Sequence, residues 1–310
     1  MLEIFKTINN TVERLDEIEP GCWINMVDPT RDELEYVEET TQVQPDFLRA
    51  ALDEEESSRT ETEMGQTLVI VDIPFADSNG EIAMYTTIPL GLIAMKDYFF
   101  TVCLEDDTFL DDFKSNRVKN FFTQFKTRFI LQILYRNATK YLQYLRQIEK
   151  ASNRLEEQIF KSQKNRELMQ MLRLEKSLVY FSTSLRANAV VLEQLMRSSN
   201  IKNYPEDQDI LEDVIIENKQ AIEMSNIYSS ILTSTTEAFA SIVSNNQNNV
   251  MKVLTSVTLV MVIPEIMAGL FGMNVKLPLT ELPYAFWVII IMIIVFCVLL
   301  IILLNKNDMF

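Results

Sequence analysis

The sequence contains no histidine, and its 310 residues include only six glycines and three cysteines. The missing histidine excludes His-based catalytic triads and HExxH metalloproteases, and it removes the commonest ligand of transition metals. A bound metal ion must therefore meet oxygen ligands, which Mg2+ and Ca2+ prefer. Too few glycines are present for a P-loop or a dinucleotide-binding fingerprint, so an enzyme is a minor alternative.

The three cysteines provide neither a disulfide framework nor a paired-cysteine zinc motif. They are Cys22, Cys103 and Cys297, and the last lies in an apolar run. Free thiols in a reducing compartment fit this pattern. Residues 1–10 lack the basic and apolar regions of a secretory signal, so we expect the first two hundred residues to stay in the cytosol.

Basic residues are scarce relative to acidic ones, 28 against 44, which gives a net charge of -16. Nucleic acid is excluded as a partner because phosphate binding needs a concentrated basic face. The acidic excess either attracts cations or only keeps an acidic domain soluble, and charge alone does not separate these alternatives.

Glycine and proline divide the chain into two kinds of region. Residues 92–268 contain no glycine, and Pro205 is the only proline between residues 90 and 263, which predicts long helices. The earlier region has frequent Gly and Pro between short β-prone runs and predicts an α/β domain over residues 1–120. The runs are residues 22–26, 67–73, 82–88, 90–95 and 98–103.

Local signals place the helices. Thr30 as N-cap with Glu33 at the capping-box position predicts a helix start, and helices in this interval would cover one face of the sheet. Residues 121–204 alternate apolar and charged groups at helical spacing and form a predicted helical hairpin region. A stalk helix is predicted over residues 205–250; its many Ser, Thr and Asn residues suit either a water-filled axis or a coiled-coil spacer.

Two segments meet the length and composition of membrane spans. The first, residues 251–272, continues the stalk helix, and the second covers residues 285–304. Because the loop of residues 273–284 is short, the spans must be antiparallel. We expect a multi-pass protein of the cell membrane with both termini cytoplasmic, the short tail of residues 305–310 included.

Glu265 lies in the middle of the first span, where an ionisable group costs on the order of 2.5 kcal/mol and is expected to face a water-filled cavity or a partner. At 100° per residue, a stripe of side chains lies within about 60° of Glu265 and predicts a pore lining with an apolar neck. A membrane-tethered scaffold or sensor is the alternative, but it leaves Glu265 unexplained. The stripe consists of Gln247, Met251, Leu254, Thr258, Met261, Val262 and Glu265.

The residues at the end of the first span match the sequence pattern of a known protein family. Phe271-Gly272-Met273-Asn274, preceded by residues 251–255 and 264–269 and followed by a short loop and a second span, resembles the CorA family of magnesium and cobalt channels. The resemblance implies a funnel-shaped homopentamer in the lipid bilayer, with an α/β/α sandwich as its cytosolic domain. It also implies that Gly272, Met273 and Asn274 form a selectivity filter for hydrated Mg2+.

The same resemblance assigns further residues. Met251 and Leu254 match a hydrophobic gate, and Asp213 matches a position that binds regulatory Mg2+ between subunits, although a solvated surface carboxylate is an equal alternative for Asp213. The chain departs from the family in lacking a lysine run at its C-terminus, in the sequence around the loop acid Glu281, and in Glu265, which replaces a pore threonine. We take the Glu265 copies as a hypothetical internal cation site.

The resemblance thus implies passive Mg2+ uptake, with Co2+ as a second cargo, gated by intracellular Mg2+. Passive influx is expected because no ATP-binding motif is present and the membrane potential supplies about 2.3 kcal/mol per elementary charge per 100 mV. A zinc transporter of the same fold and a membrane-tethered scaffold or sensor remain the alternatives.

Overall fold

The computed structural model describes residues 1–77, 84–105, 110–162, 165–197, 204–273 and 284–307. The chain divides into two compact units, Met1–Ser234 and Thr235–Phe310. The described helices are α1 (Arg31–Thr41), α2 (Pro45–Ala50), α3 (Asp111–Lys114), α4 (Lys126–Ser162), α5 (Asn165–Arg197), α6 (Pro205–Phe271) and α7 (Ala285–Lys306).

A seven-stranded mixed sheet occupies the first 103 residues, in the order β2-β1-β3-β7-β6-β5-β4. The pair β3 and β7 is parallel, and the other neighbours are antiparallel. Both β3 and β7 are buried along their whole length, because helices cover both faces of the sheet at its centre. The strands are β1 (Leu2–Ile8), β2 (Thr11–Leu15), β3 (Trp23–Val27), β4 (Arg59–Glu63), β5 (Gln66–Asp77), β6 (Met84–Ala94) and β7 (Phe99–Cys103).

Strands β1, β2 and β4 were not predicted from the sequence. Charged residues interrupt the alternation of apolar residues in β1, so the run did not stand out as a strand. The Asn9-Asn10 pair is a sequence signal for a hairpin turn, because asparagine tolerates positive φ. Both residues adopt positive φ, 48° and 67°, at the hairpin between β1 and β2. Met64 and Gly65, with φ of 49° and 78°, make the corresponding turn between β4 and β5.

Strand β6 joins two runs that the sequence analysis kept apart at Pro89. Pro89 pairs with Asp72 of β5. The backbone N–H and C=O of Asp72 both bond to the Asn188 side chain, which lies on the side of β5 away from β6. The backbone of Pro89 therefore faces the β7 side, one residue beyond the last β6–β7 pair, Leu90 with Cys103. Its missing N–H removes no ladder bond, and the strand continues.

Helices α1 and α2 cover one face of the sheet. The predicted capping box at α1 is confirmed: Thr30 Oγ1 accepts from Glu33 N at 3.3 Å, and a Glu33 carboxylate oxygen accepts from Thr30 N at 2.8 Å. The α2 end approaches β6 closely, since a Cβ added to Gly91 would lie 2.6 Å from Ala51 Cβ. Glycine at position 91 therefore allows this packing distance.

The longer helices pack on the opposite face around an aromatic cluster. Trp23 of β3 meets the ring of Phe129 of α4 edge-on, with centroids 5.1 Å apart. The Phe129 ring also lies 4.5 Å from the ring of Phe99 of β7, tilted by 41°. Arg128 of α4 bonds to Glu206 at 2.6 Å and to Asp207 at 2.8 Å, which fixes the start of α6 beside α4. The predicted α/β/α sandwich, long helix and two candidate membrane helices are confirmed.

Candidate functional site

Two helices are long and apolar enough to cross a membrane: the C-terminal part of α6 and the whole of α7. Most of their side chains are exposed within the isolated chain, whereas the core helix of a soluble domain is mostly buried. Exposed Tyr284, Phe286 and Trp287 precede or begin α7, where aromatic residues anchor a span at the membrane interface.

One face of the apolar part of α6 is covered. Its members recur every three or four residues, and the matching face of α7 has the same spacing. The Cys297 thiol on α7 lies 3.8 Å from the carbonyl oxygen of Val260 on α6, which joins the two faces. The covered residues are Ser256, Val260, Ile263, Met267 and Phe271 on α6, and Ile289, Ile293, Cys297, Leu300 and Leu304 on α7.

The predicted pore-lining stripe lies on the other side of α6. Counting 100° per residue, the covered face lies between about 120° and 180° from Glu265. Met251 and Leu254 are 52% and 57% exposed, and Thr258 and Glu265 are also exposed. Val262, at the edge of the stripe, is half-buried. This chain therefore leaves a continuous strip of α6 uncovered, with Glu265 near its C-terminal end.

The α-helix continues through this stripe and past Pro264 to Phe271. The Thr258 hydroxyl donates to the Leu254 carbonyl at 2.8 Å, which satisfies a polar group that would otherwise meet an apolar environment. No basic side chain in the described ranges forms an ion pair with Glu265. An ionisable group at this depth of a transmembrane helix is expected to face a water-filled cavity or a partner.

The predicted selectivity filter is described in part. Helix α6 ends at Phe271, and Gly272 N still donates to the Ala268 carbonyl at 2.9 Å. A Cβ at position 272 would lie 2.9 Å from that same oxygen, so glycine permits the close helix end. Met273 follows and is 53% exposed. Asn274 and Glu281 lie outside the described residues.

Asp213, the predicted regulatory residue, is exposed on α6 in the first unit. It lines a cavity of about 290 Å³ together with Gln132 and Arg136, and the Arg136 guanidinium bonds to Asp112 at 2.8 Å. No group of three Asp, Glu or Cys side chains suited to a metal ion occurs in the described part of the chain. Within these described ranges, Asp213 does not belong to a preformed cluster of carboxylates.

Residues 19–306 match the family described as CorA-like Mg2+ transporter protein. The chain belongs to this CorA-like family. It is 28% identical over 284 residues to the cobalt/magnesium transport protein CorA of Methanocaldococcus jannaschii, covering 88% of this chain and 86% of that protein. The complete structure of the CorA magnesium transporter from the same organism superposes with a TM-score of 0.85 at 25% identity, covering 98% of this chain and 96% of the other.

Two further solved structures share the CorA-like fold at lower identity. The full-length CmaX protein superposes with a TM-score of 0.73 at 14% identity, over 98% of this chain and 97% of its own. The cytoplasmic domain of ZntB from Vibrio parahaemolyticus gives 0.59 at 13% identity, over 79% of this chain and 97% of its own. These likenesses show the fold alone, and family membership identifies the chain as a membrane transporter of the CorA type.

Proposed function

We propose that this chain conducts Mg2+, and Co2+ as a second cargo, passively into the cytoplasm through a pentameric pore lined by α6. The observation that carries the proposal is the exposed stripe from Met251 to Glu265 on the side of α6 opposite α7. A carboxylate on an otherwise apolar transmembrane helix needs water or a partner beside it, and several copies of α6 around an axis supply that water.

The outer end of the stripe suits a filter for a hydrated cation. Mg2+ releases its water slowly, so a selective entrance hydrogen-bonds to the hydration shell. Asn274 supplies an amide oxygen for this task, next to the closely packed helix end at Gly272. On this proposal Glu281 in the same loop raises the local cation concentration, because a carboxylate attracts divalent ions.

The inner end suits a gate. Met251 and Leu254 are apolar and exposed on the stripe, and a ring of such side chains closes a pore by excluding water. Intracellular Mg2+ at Asp213 would hold neighbouring copies together in the closed arrangement, and its loss would release them. On this proposal both termini lie in the cytoplasm.

Flux into liposomes tests the proposal. The full chain is reconstituted with an internal Mg2+ indicator, and a potential negative inside is imposed. We expect Mg2+ entry that Co2+ inhibits, and a loss of at least about tenfold in Asn274→Ala. The matched control is Ile291→Leu, which changes an exposed residue of α7 and should retain flux. A wild-type protein that remains monomeric in the bilayer, or that carries no Mg2+, contradicts the proposal and favours a membrane-tethered sensor. Entry of Zn2+ in preference to Mg2+ contradicts the assigned cargo.

A further inference from the structure

The part of α6 that spans the membrane contains a proline at position 264. In an α-helix the amide of residue 264 would donate to the Val260 carbonyl, but proline has no amide hydrogen. The Val260 carbonyl is therefore deprived of its helical donor. Within hydrocarbon no water is available to replace that donor, and an unsatisfied backbone group there costs several kcal/mol.

A side chain of the second span reaches this carbonyl. Cys297 Sγ lies 3.8 Å from Val260 O, within the range of a sulfur hydrogen bond, and the thiol is the donor. Both residues lie on the covered faces of their helices, so the contact is made where α6 and α7 already pack. Serine and threonine hydroxyls, neighbouring helices and ordered waters can satisfy a carbonyl freed by proline, and here a thiol does so.

Glu265 immediately follows the proline. The end of α6 from Pro264 to Phe271 carries Glu265 on the side about 140° away from Val260. A proline is a common position for a helix to bend, because the ring also crowds the carbonyl four residues earlier. The direction in which Glu265 points therefore depends on how the helix is held at Val260.

We propose that Cys297 is a positioning residue for Glu265: its thiol binds the Val260 carbonyl that Pro264 leaves without a helical donor, and it thereby holds α6 against α7 at the proline. The inference rests on the proposed function insofar as Glu265 lines the ion pathway. The thiol–carbonyl pairing itself is independent of transport and can be observed directly.

Infrared spectroscopy of the reconstituted full chain tests the pairing. The S–H stretch of Cys297 is assigned from the difference between wild type and Cys297→Ala, which removes the contributions of Cys22 and Cys103. A hydrogen-bonded thiol absorbs at lower frequency than a free one. Pro264→Ala returns an amide donor to Val260, so we expect the Cys297 band to move to higher frequency in that variant. An unchanged band overturns the proposal.

A double-mutant cycle on Mg2+ flux tests the positioning role. We expect Cys297→Ala to lower flux about threefold, the factor that corresponds to one hydrogen bond of average strength between membrane helices. Cys297→Ser keeps a donor and should stay close to wild type. In the Pro264→Ala background, Cys297→Ala should have no further effect. Val298→Ala, an exposed neighbour on α7, is the matched control. Equal losses from Cys297→Ala in both backgrounds overturn the proposal.

The infrared and flux experiments distinguish a failure of this inference from a failure of the proposed function. If the wild-type chain carries no Mg2+, the proposed function fails, and the infrared band together with a thermal-unfolding cycle of the same variants decides whether Cys297 holds α6 at Pro264. Coupling between the two positions in unfolding supports the inference in that case, and additivity overturns it.

Discussion

The Asn188 side chain of α5 completes the β-sheet at Asp72. Asn188 Oδ1 accepts from Asp72 N at 2.9 Å, and Asn188 Nδ2 donates to Asp72 O at 2.8 Å. Asp72 lies two residues beyond Ile70, the last residue of β5 that pairs with β4. Strand β4 is too short to reach Asp72, and the buried amide side chain of Asn188 makes the hydrogen bonds that a longer β4 would have made.

Replacing Asn188 by leucine should destabilise the protein, because the buried N–H of Asp72 loses its partner. We expect the free energy of unfolding to fall by about 1–3 kcal/mol, the usual cost of an unsatisfied buried donor. Chemical denaturation of the full chain in detergent measures the change. Asn153→Leu on the exposed side of α4 is the matched control and should have little effect. Equal stability of the two variants would contradict the assigned role.

Asp72 should make stability depend on pH in the acid range. Burial raises the pKa of its carboxyl group above the ordinary value, although hydrogen bonds from Ser184 and Ser58 oppose the shift. The folded state therefore favours the protonated form, so its contribution to stability is fully present below the unfolded pKa and is lost as pH rises through the folded pKa. We expect Asp72→Asn to raise the melting temperature at pH 7 and to flatten the acid part of the stability profile. The exposed Glu63→Gln is the control, and an unaltered profile in Asp72→Asn would refute the prediction.

Glu265→Gln should lower Mg2+ flux about tenfold, because the neutral amide no longer attracts a divalent cation within the pathway. Copies of Glu265 close to one another would also repel, so the glutamine variant should be at least as stable as an oligomer. Liposome flux with Mg2+ and Co2+ in competition measures both rate and preference. Glu237→Gln makes the same change on exposed α6 outside the apolar segment and serves as control. If flux and ion preference stay as in wild type, the internal cation site does not exist.

Leu254→Ser should open the gate. A hydroxyl ring retains water where a leucine ring expels it, so we expect flux at millimolar internal Mg2+ to rise about tenfold. Val253→Ser is the control, because Val253 is similarly exposed but lies about 120° from the Glu265 direction. A rise of the same size in the control would show that the effect comes from a weakened helix and that Leu254 has no special place in the pathway.

Asp213→Asn should weaken protection by Mg2+. If Asp213 binds the regulatory ion between copies, the Mg2+ concentration that protects the full chain from protease should increase about tenfold, since one carboxylate ligand is lost. The adjacent exposed carboxylate in Glu212→Gln is the matched control. Identical protection curves for the wild type and both variants identify Asp213 as a solvated surface residue.

Short-range signals made much of this structure predictable. The capping box of Thr30 and Glu33 depends on residues three apart, and the stripe through Leu254 and Glu265 follows from the helical period alone. The Asn188 bonds to Asp72, 116 residues away, and the Cys297 contact to Val260, 37 residues away, depend on how separate elements pack. No local sequence pattern predicts such a pair, because neither residue shows a signal of its own until the partner element is packed beside it.

The parallel pairing of β3 with β7 has a consequence for synthesis. The hairpin of β1 and β2 can form as soon as it leaves the ribosome, and β3 can join it by the antiparallel pairing with β1. The other edge of β3 has no partner until residues 99–103 have been made. Since contacts distant in sequence form late, the backbone N–H and C=O groups on this edge of β3 stay without their ladder partners until β7 has been translated. The nascent chain is open to wrong strand pairing during that time.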